Sequence, residues 1–299
     1  MNIATLLAFA SAIFGFAMAF SVLWKERRSA THLAFAAGLV ILALESIFNG
    51  LSLGSLTVTE VAGWQKWRLA TTSFLPGVWL FFSLTYSRGN HREFLARWKL
   101  FLTAFLLAAP ALGIFGNLLD GTTNQTKTGY QILGLSKEGD ALNLIFLVGI
   151  VLVLMNLERT FRAAVGTMRW RIKFMILGLG ILFIVRVYTS TETLLFHSTN
   201  LSLQLLDCGA LLVGCLLIFR ALLREGHFNV DVYPSHAVLH NSLTVLLAGI
   251  YLLIIGLFAK IVTYLGGDEA FTIKAFLVLA ALVVLTILLL SDRDRKSVV

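Results

Sequence analysis

The stretch IKFMILGLGILFIVRVYTSTETLLF (172–196), followed by HSTN (197–200) and LSLQLLDCGALLVGCLLIFRA (201–221), decides the fold class. It predicts two membrane-spanning helices joined by a short polar loop, because one span needs about 20 predominantly apolar residues. The first helix carries Arg186 well inside its apolar run, and the second carries Asp207. A charge at the bilayer centre costs about 2.5–3.5 kcal/mol or more, so both side chains are expected to face a bundle interior or a wet cavity.

The composition extends this prediction to the whole chain. Of its 299 residues, 58% are hydrophobic and 13% are charged, and the mean hydropathy is +0.85. Soluble domains carry about 25% charged residues, so this chain is predicted to be an integral membrane protein. The net charge of +8 fits Lys and Arg collecting in cytoplasmic loops. No soluble segment shows a basic stripe with interleaved aromatics, so no nucleic-acid partner is expected.

The apolar runs predict an all-α, polytopic membrane helix bundle with about nine spans. Residues 1–290 form the predicted transmembrane domain, and 291–299 form a cytoplasmic tail or the start of a linker. The spans are predicted at 3–24, 33–53, 67–86, 100–119, 142–157, 172–196, 201–221, 243–265 and 271–290. The polar segment 120–140 is expected to be an outer loop too short to form a domain with its own core.

Charge asymmetry between the loops predicts the orientation. Most of the 24 Lys and Arg residues follow odd-numbered spans, beginning with KERR at 25–28. Cytoplasmic loops carry the positive excess, so the N-terminus is expected outside and the C-terminus inside. The first span is not predicted to be a signal peptide, because its positive cluster follows the apolar core instead of preceding it.

Polar residues inside the spans all fall in the predicted outer half, at a shared depth. One interpretation is an outward-facing site for a small or amphipathic ligand, with Arg186 paired to Glu45 or Asp207 and a rim of Trp64, Trp67 and Tyr188. The other is a structural ion pair that holds three helices in register. Sequence leaves both open. The candidate site residues are Glu45, Asn49, Arg68, Arg186, Glu192, Gln204 and Asp207.

Other chemistry is not predicted. Cys208 and Cys215 lie two helical turns apart, too far for a disulfide, and are expected to pack as small apolar residues. His236 and His240 share a helical face but have no HExxH glutamate, so no metal site is predicted. The chain has no Walker loop, nucleophile elbow or carboxylate dyad, and neither catalytic residues nor a cofactor is expected.

Glycines and prolines within the spans predict local packing features. Small residues let membrane helices approach closely, and Pro frees a backbone carbonyl and kinks its helix. Pro76 and Pro110 are expected to produce such kinks in the third and fourth spans. Close helix contacts are expected at Gly178, Gly180, Gly209 and Gly214.

The chain resembles the N-terminal membrane region of multi-span sensor histidine kinases, in particular those of the PEP-CTERM/exosortase system. The resemblance is carried by KERR after the first span and by the arrangement of the sixth and seventh spans. It is also carried by FNVDVYPSHAVLHNSLTVLLAGIYLL (228–253) and FLVLAALVVLTILLLSDRDR (276–295). It implies a sensory input region whose last span leads into a GAF-type domain, a phosphoacceptor helix pair and an ATP-binding domain.

Those soluble parts are not in this sequence, so a truncated product, a fragment or a stand-alone sensor is expected. The resemblance implies a homodimer, and contact with a response regulator only through the missing kinase domain. The resemblance also implies a location in the bacterial cytoplasmic (inner) membrane, and the lipid bilayer is the expected surrounding partner. Two alternatives stay open: a small-molecule transporter or permease, and a membrane enzyme acting on lipid-linked sugars through Glu45, Asp207 and Arg68.

Overall fold

The structure, a computed structural model, describes residues 3–25, 29–86, 91–125, 131–164 and 166–225. All of them belong to one compact unit, Met1–Val245. The predicted eighth and ninth spans, the tail, and the pair His236 and His240 lie outside the described residues.

Long apolar helices dominate the described part of the chain, as the hydropathy predicts. Six of them have the length and composition to cross a membrane. The helices are α1 (Ile3–Lys25), α2 (Ala30–Gly54), α3 (Val58–Thr72), α4 (Leu75–Thr85), α5 (His91–Phe115), α6 (Lys137–Ala163), α7 (Thr167–Phe196) and α8 (Leu201–Glu225). Helix α5 ends earlier than predicted, and α6 extends beyond the predicted span at both ends.

The predicted third span is two helices, not one. It begins earlier than expected, at Val58, because the Thr57 hydroxyl caps the first turn by accepting from the Glu60 amide at 3.3 Å. Helix α3 ends at Thr72 and α4 begins at Leu75. Pro76 lies in the first turn of α4. Because proline has no backbone N–H, Pro76 interrupts the regular hydrogen bonding of the helix. The kink predicted at Pro76 is therefore a full break between α3 and α4.

A small sheet corrects the all-α prediction. The predicted outer loop contains strands β1 (Leu119–Gln125) and β2 (Gln131–Leu135), and the HSTN loop contains β3 (Ser198–Asn200). The strands are antiparallel in the order β1-β2-β3, with Leu133 paired to Thr123 on one side and Thr199 on the other. The α5–α6 and α7–α8 connections meet at one end of the bundle. There the pairing of the strands provides hydrogen-bond partners for their backbone N–H and C=O groups.

The helices pack as a closed ring. Helix α1 contacts α2 and α8, α2 contacts α3 and α4, α4 contacts α5 and α6, and α7 lies between α6 and α8. Trp79 of α4 fills the interior, with edge-on contacts to Phe35, Phe82 and Phe183 at centroid distances of 5.7, 5.5 and 5.2 Å. These rings join α2, α4 and α7 in one core, because aromatic pairs prefer such edge-to-face geometry.

Helices α7 and α8 approach closely at two of the four predicted glycine positions, Gly178 and Gly214. A Cβ atom added to Gly178 would lie 2.9 Å from the Gly214 carbonyl oxygen, and one added to Gly214 would lie 3.2 Å from the Gly178 carbonyl oxygen. Gly209 differs, since an added Cβ would meet nothing within 4 Å. Gly178 and Gly214 therefore bring the two backbones together, and Gly209 does not.

The sheet packs on the helix ends beside it. Val61 of α3, Leu133 of β2 and Leu201 of α8 form a buried apolar cluster with Leu53 and Leu119 against it. We call this end of the bundle the sheet end. Its apolar packing holds the strands against α2, α3 and α8, close to the polar residues described next.

Candidate functional site

Glu45 joins three helices through two guanidinium groups. Its Oε1 accepts from Arg68 Nη1 at 3.1 Å, and its Oε2 accepts from Arg186 Nη2 at 2.5 Å. The residues come from α2, α3 and α7 and are 4%, 8% and 3% exposed. Taking such charges out of water costs several kcal/mol per ion, and only close, hydrogen-bonded geometry compensates for that cost. The carboxylate therefore holds the three helices in register.

A pair of amides extends the network to α8. Gln65 Nε2 donates to Gln204 Oε1 at 3.0 Å, and Gln204 Nε2 donates back to Gln65 Oε1 at 2.9 Å. The same Gln65 oxygen accepts from Arg68 Nε at 2.7 Å, and its nitrogen also donates to the Ser52 hydroxyl at 2.9 Å. The amide pair thus orients Arg68 toward Glu45 and couples α3 to α8.

Asp207 of α8 is held differently from Glu45. The Thr189 hydroxyl lies 3.2 and 3.3 Å from its two carboxylate oxygens and donates to one of them at a time. Among the described residues, Arg186 forms its ion pair with Glu45 and none with Asp207, although the sequence left Glu45 and Asp207 open as its alternative partners. The Asp207 carboxylate therefore retains hydrogen-bonding capacity.

These groups surround a cavity of about 60 Å³. It lies between α2, α3, α6, α7 and α8, with β2 and β3 at the sheet end. The four charged residues lie about two to three turns in from the helix ends beside the sheet. The lining comprises Glu45, Arg68, Leu69, Thr72, Ser73, Leu135, Leu142, Asn143, Phe146, Arg186, Thr189, Ser190, Thr193, Thr199, Asn200, Leu203, Gln204 and Asp207.

Two polar atoms of the lining residues have no hydrogen-bond partner among the described residues. They are Arg186 Nε and Thr199 Oγ1, each in a residue that is 3% exposed. A buried donor without a partner costs about 1–3 kcal/mol, more when it is charged. Both atoms are themselves buried, so their unpaired state is a cost that the fold carries around the cavity.

The structure brings together five of the seven candidate site residues: Glu45, Arg68, Arg186, Gln204 and Asp207. Asn49 lies outside the lining, and its Nδ2 donates to Cys208 Sγ at 3.5 Å, which ties α2 to α8. Glu192 is buried but does not line the cavity either. Both predicted cysteines are buried and free, as their spacing indicated.

The predicted rim is not part of the cavity. None of Trp64, Trp67 and Tyr188 belongs to the lining. Trp64 stacks on Phe48 with ring centroids 6.2 Å apart, and Trp67 is 63% exposed. The lining near the sheet comes instead from Leu135, Thr199 and Asn200, because the strands occupy the position where interfacial aromatics were expected.

Sequence reasoning missed Gln65, Thr189 and Thr199. Gln65 lies three positions before Arg68, and Thr189 three positions after Arg186. Residues three apart share a helix face, so this spacing was an available signal for both. Thr199 had none, because its place depends on a strand pairing that no local pattern in HSTN indicates. The described residues contain no group of three His, Cys, Asp or Glu that could hold a metal ion.

Comparison with known proteins gives one match. The family model described as the N-terminal 7TM region of histidine kinase matches residues 7–234 of this chain. No curated protein and no solved structure matches it. The match gives no support to the transporter alternative. It covers all but the first residues of α1 and every later helix through α8. The chain belongs to the family of N-terminal seven-transmembrane regions of histidine kinases and is a membrane sensory input region.

Proposed function

We propose that this sensory region detects a small or amphipathic ligand in the cavity between α2, α3, α7 and α8. The observation that supports this proposal is that one cavity is lined by four charged residues, Glu45, Arg68, Arg186 and Asp207. Ionisable residues inside a membrane are costly and mark functional sites by default. The sheet end, where β2 and β3 contribute to the lining, is the side from which the ligand enters.

The competing interpretation is a purely structural ion cluster. It accounts for Glu45, which has two guanidinium partners. It leaves unexplained the cavity and the unused hydrogen-bonding capacity of Asp207, whose carboxylate has one hydroxyl as its hydrogen-bond partner among the described residues. A structural cluster is most stable when it is closed and fully satisfied, since partly satisfied buried networks lose stability. The open half of the cluster, around Asp207, therefore favours ligand binding.

Helix α8 is the element that carries the signal. Asp207 lies near its start, and Gly214 lies further along, against Gly178 of α7. A ligand shifts an equilibrium only by its differential affinity for two states. Contact with Asp207 changes the packing of α8 on α7, and the following spans pass this change to a cytoplasmic kinase domain that phosphorylates a response regulator.

The proposed membrane arrangement has the sheet end outside, in the bacterial inner membrane. Its support is the positive charge of the loops at the opposite end, which the positive-inside rule assigns to the cytoplasm. Helices α3 and α4 together supply the third crossing, so the described helices make seven crossings. Residues 1–290 then form a transmembrane domain of nine spans, 291–299 lead toward an output domain, and the region works as a homodimer.

The likeness to kinases of the PEP-CTERM/exosortase system supports a finer proposal about the parent kinase. It rests on KERR at 25–28, on the arrangement of the sixth and seventh spans, and on the segments 228–253 and 276–295. An envelope condition is then the stimulus class. Reading the gene beyond codon 299 tests this link, because an in-frame GAF-type domain, phosphoacceptor helices and an ATP-binding domain are expected. An unrelated gene after a stop codon contradicts it.

Phosphorylation by the full-length gene product, in membrane vesicles supplied with labelled ATP, tests the role of the cavity. Asp207→Asn is expected to change the phosphorylation level by about fivefold or more, the lower range of allosteric coupling. Glu158→Gln is the matched control, because Glu158 is a carboxylate of α6 that does not line the cavity. Equal phosphorylation in both variants and the wild type contradicts a sensing role for the cavity.

A further inference from the structure

Two cations lie over aromatic rings on the outer surface of α7 and α8, at the end of the bundle opposite the sheet. Lys173 Nζ lies 5.5 Å from the centre of the Trp170 ring. Arg220 Cζ lies 5.0 Å from the centre of the Phe174 ring. Trp170 and Phe174 are four positions apart on α7, so they are neighbours on one helix face. The two cations therefore lie over adjacent rings, and we call these four residues the basic patch.

The packing of α7 against α8 places both cations at one level. The helices run antiparallel, because only the short HSTN segment joins them, and Gly178 lies against Gly214. Counting from that contact at about 1.5 Å per residue, Lys173 and Arg220 lie within about one residue of each other along the helix axes. Both are near the ends of the apolar segments of their helices. This is the level at which lipid headgroups meet the hydrocarbon core.

The charges of Lys173 and Arg220 are not compensated within the described part of the chain. Neither side chain forms a hydrogen bond or an ion pair there beyond its ring contact. Glu158 of α6 lies at the same end of the bundle, but it accepts from Arg162 at 3.3 Å. The sequence has no Asp or Glu at 159–191 or at 208–224. An anion for these two cations has to come from elsewhere.

The ring contacts leave hydrogen-bond donors available to such an anion. A cation is attracted to the face of an aromatic ring by the ring quadrupole. A guanidinium group has five N–H donors and an ammonium group has three, and one ring face does not engage them all. Phosphate oxygens accept strong charge-assisted hydrogen bonds from both groups. Two cations at one level therefore suit a phosphodiester group.

An exposed apolar strip on α8 leads from the basic patch toward the middle of the bilayer. Leu216 and Val213 precede Arg220 by four and seven positions, so the three residues share one helix face. Their side chains are 56% and 46% exposed. Trp170 is 53% exposed, as is typical of tryptophan at the headgroup level. A cationic site above an apolar strip fits a molecule that has both an anionic headgroup and an acyl chain.

We propose that the basic patch and this strip bind an anionic phospholipid. Its phosphodiester oxygens accept hydrogen bonds from Lys173 Nζ and the Arg220 guanidinium, and an acyl chain lies along Leu216 and Val213. Phosphatidylglycerol fits, because its headgroup carries no cation. Phosphatidylcholine is disfavoured, because its ammonium group brings another positive charge to the patch. The site lies at the opposite end of the bundle from the cavity, so this proposal is independent of ligand sensing there.

Thermal unfolding of the full chain in nonionic micelles tests the proposal. Phosphatidylglycerol, phosphatidylcholine with the same acyl chains, and inorganic phosphate are titrated separately at equal ionic strength. A ligand that binds the folded state raises the melting temperature in proportion to ln(1 + [L]/Kd), which gives an apparent Kd. Phosphatidylglycerol is expected to raise the melting temperature, and the other two are expected to leave it unchanged.

Three results of this titration overturn the proposal. Absence of a shift with phosphatidylglycerol shows that no such lipid is bound. An equal shift with phosphatidylcholine shows that the headgroup charge is not recognised. An equal shift with inorganic phosphate shows that the site takes a free anion and that the apolar strip plays no part.

Variants assign the binding to the basic patch. Lys173→Gln and Arg220→Gln are each expected to raise the apparent Kd of phosphatidylglycerol about fivefold, the usual effect of one basic residue at a membrane surface. Lys99→Gln is the matched control and is expected to keep the wild-type Kd. It removes the same charge from an exposed position near the start of α5, at the same end of the bundle.

Lys173→Gln covers the case in which Arg220→Gln does not fold, because Lys173 contacts the exposed Trp170 ring and takes part in no ion pair among the described residues. A wild-type Kd in a folded variant of either patch cation overturns the site. If Lys99→Gln weakens binding as much as the patch variants do, the lipid is attracted by the general charge of this end, and the site is also overturned.

Discussion

Glu45 Oε2 lies 2.5 Å from Arg186 Nη2 and joins α2 to α7 across 141 positions of the chain. Arg68 holds the other oxygen of the same carboxylate at 3.1 Å. One carboxylate therefore accepts hydrogen bonds from two buried cations. Its removal leaves both guanidinium groups without their anion, which makes Glu45 the most sensitive position of the cluster.

Glu45→Gln is expected to lower the free energy of unfolding by about 3–5 kcal/mol, the usual cost of breaking a buried ion pair from one side. The measurement is unfolding of the purified chain in detergent micelles. The matched control is Glu60→Gln. Glu60 is an exposed carboxylate in the first turn of α3, where a negative charge contributes about 0.3–1 kcal/mol. Equal losses in the two variants contradict this account of the cluster.

The glycine contact between α7 and α8 gives a second prediction. Gly178→Ala is expected to destabilise the protein by about 1–3 kcal/mol, the usual cost of overpacking. Its Cβ meets the Gly214 carbonyl oxygen at 2.9 Å and the Leu217 Cβ at 3.2 Å. Thermal unfolding in micelles measures the loss.

Gly209→Ala is the control for Gly178→Ala, because it adds the same methyl group to α8 where nothing lies within 4 Å. It is expected to be neutral, or stabilising by up to about 1 kcal/mol through helix propensity. If Gly178→Ala and Gly209→Ala lower the free energy of unfolding equally, the prediction that Gly178 is needed for the close approach of α7 and α8 is contradicted.

The sheet is tied to the bundle by an exposed contact. His197 Nδ1 lies 2.6 Å from Asp140 Oδ2, and the Leu135 amide donates to the His197 carbonyl oxygen at 2.8 Å. Asp140→Ala is expected to speed hydrogen exchange of the Leu135 amide by up to about fivefold, because exposed pairs contribute about 0.2–1 kcal/mol. Mass spectrometry of deuterated peptides measures the change.

Asp120→Ala serves as the control for this exchange measurement, because Asp120 is an exposed carboxylate of β1. It is expected to leave the Leu135 amide unchanged. Faster exchange at Leu135 in both variants indicates general loosening of the sheet and contradicts a specific role for the Asp140–His197 contact.

Labelling with a membrane-impermeant maleimide tests the proposed orientation. Lys137→Cys lies at the sheet end and Lys99→Cys lies near the start of α5, and both positions are exposed. Intact cells are expected to label the first variant, and the second only after permeabilisation, because the positive loops face the cytoplasm. The native Cys208 and Cys215 are buried, so the wild type is the unlabelled control. The reverse pattern contradicts the orientation.

Helix positions follow from local hydropathy, and the sequence therefore predicted most of them. The first span, predicted at 3–24, is α1 at Ile3–Lys25, and the sixth and seventh, predicted at 172–196 and 201–221, lie within the longer helices α7 and α8. Two features of the third span were harder to predict: the start of α3 at Val58 and its end before Pro76. Helix α3 is rich in polar residues, and its mean hydropathy lies far below that of a membrane span. The sheet was missed because three-residue β3 has no pattern of its own.

The sequence by itself determined which charged residues are buried. A charged side chain inside an apolar run faces the interior of the bundle however the helices are arranged. It also determined that Glu45, Arg186 and Asp207 lie at a similar depth, since depth follows from counting along each helix. Tertiary structure alone decided that Arg68 and Arg186 share Glu45 and that Asp207 faces the cavity with one hydroxyl. Those choices depend on which helices are neighbours and how each is rotated, and contacts between distant parts of the chain set both.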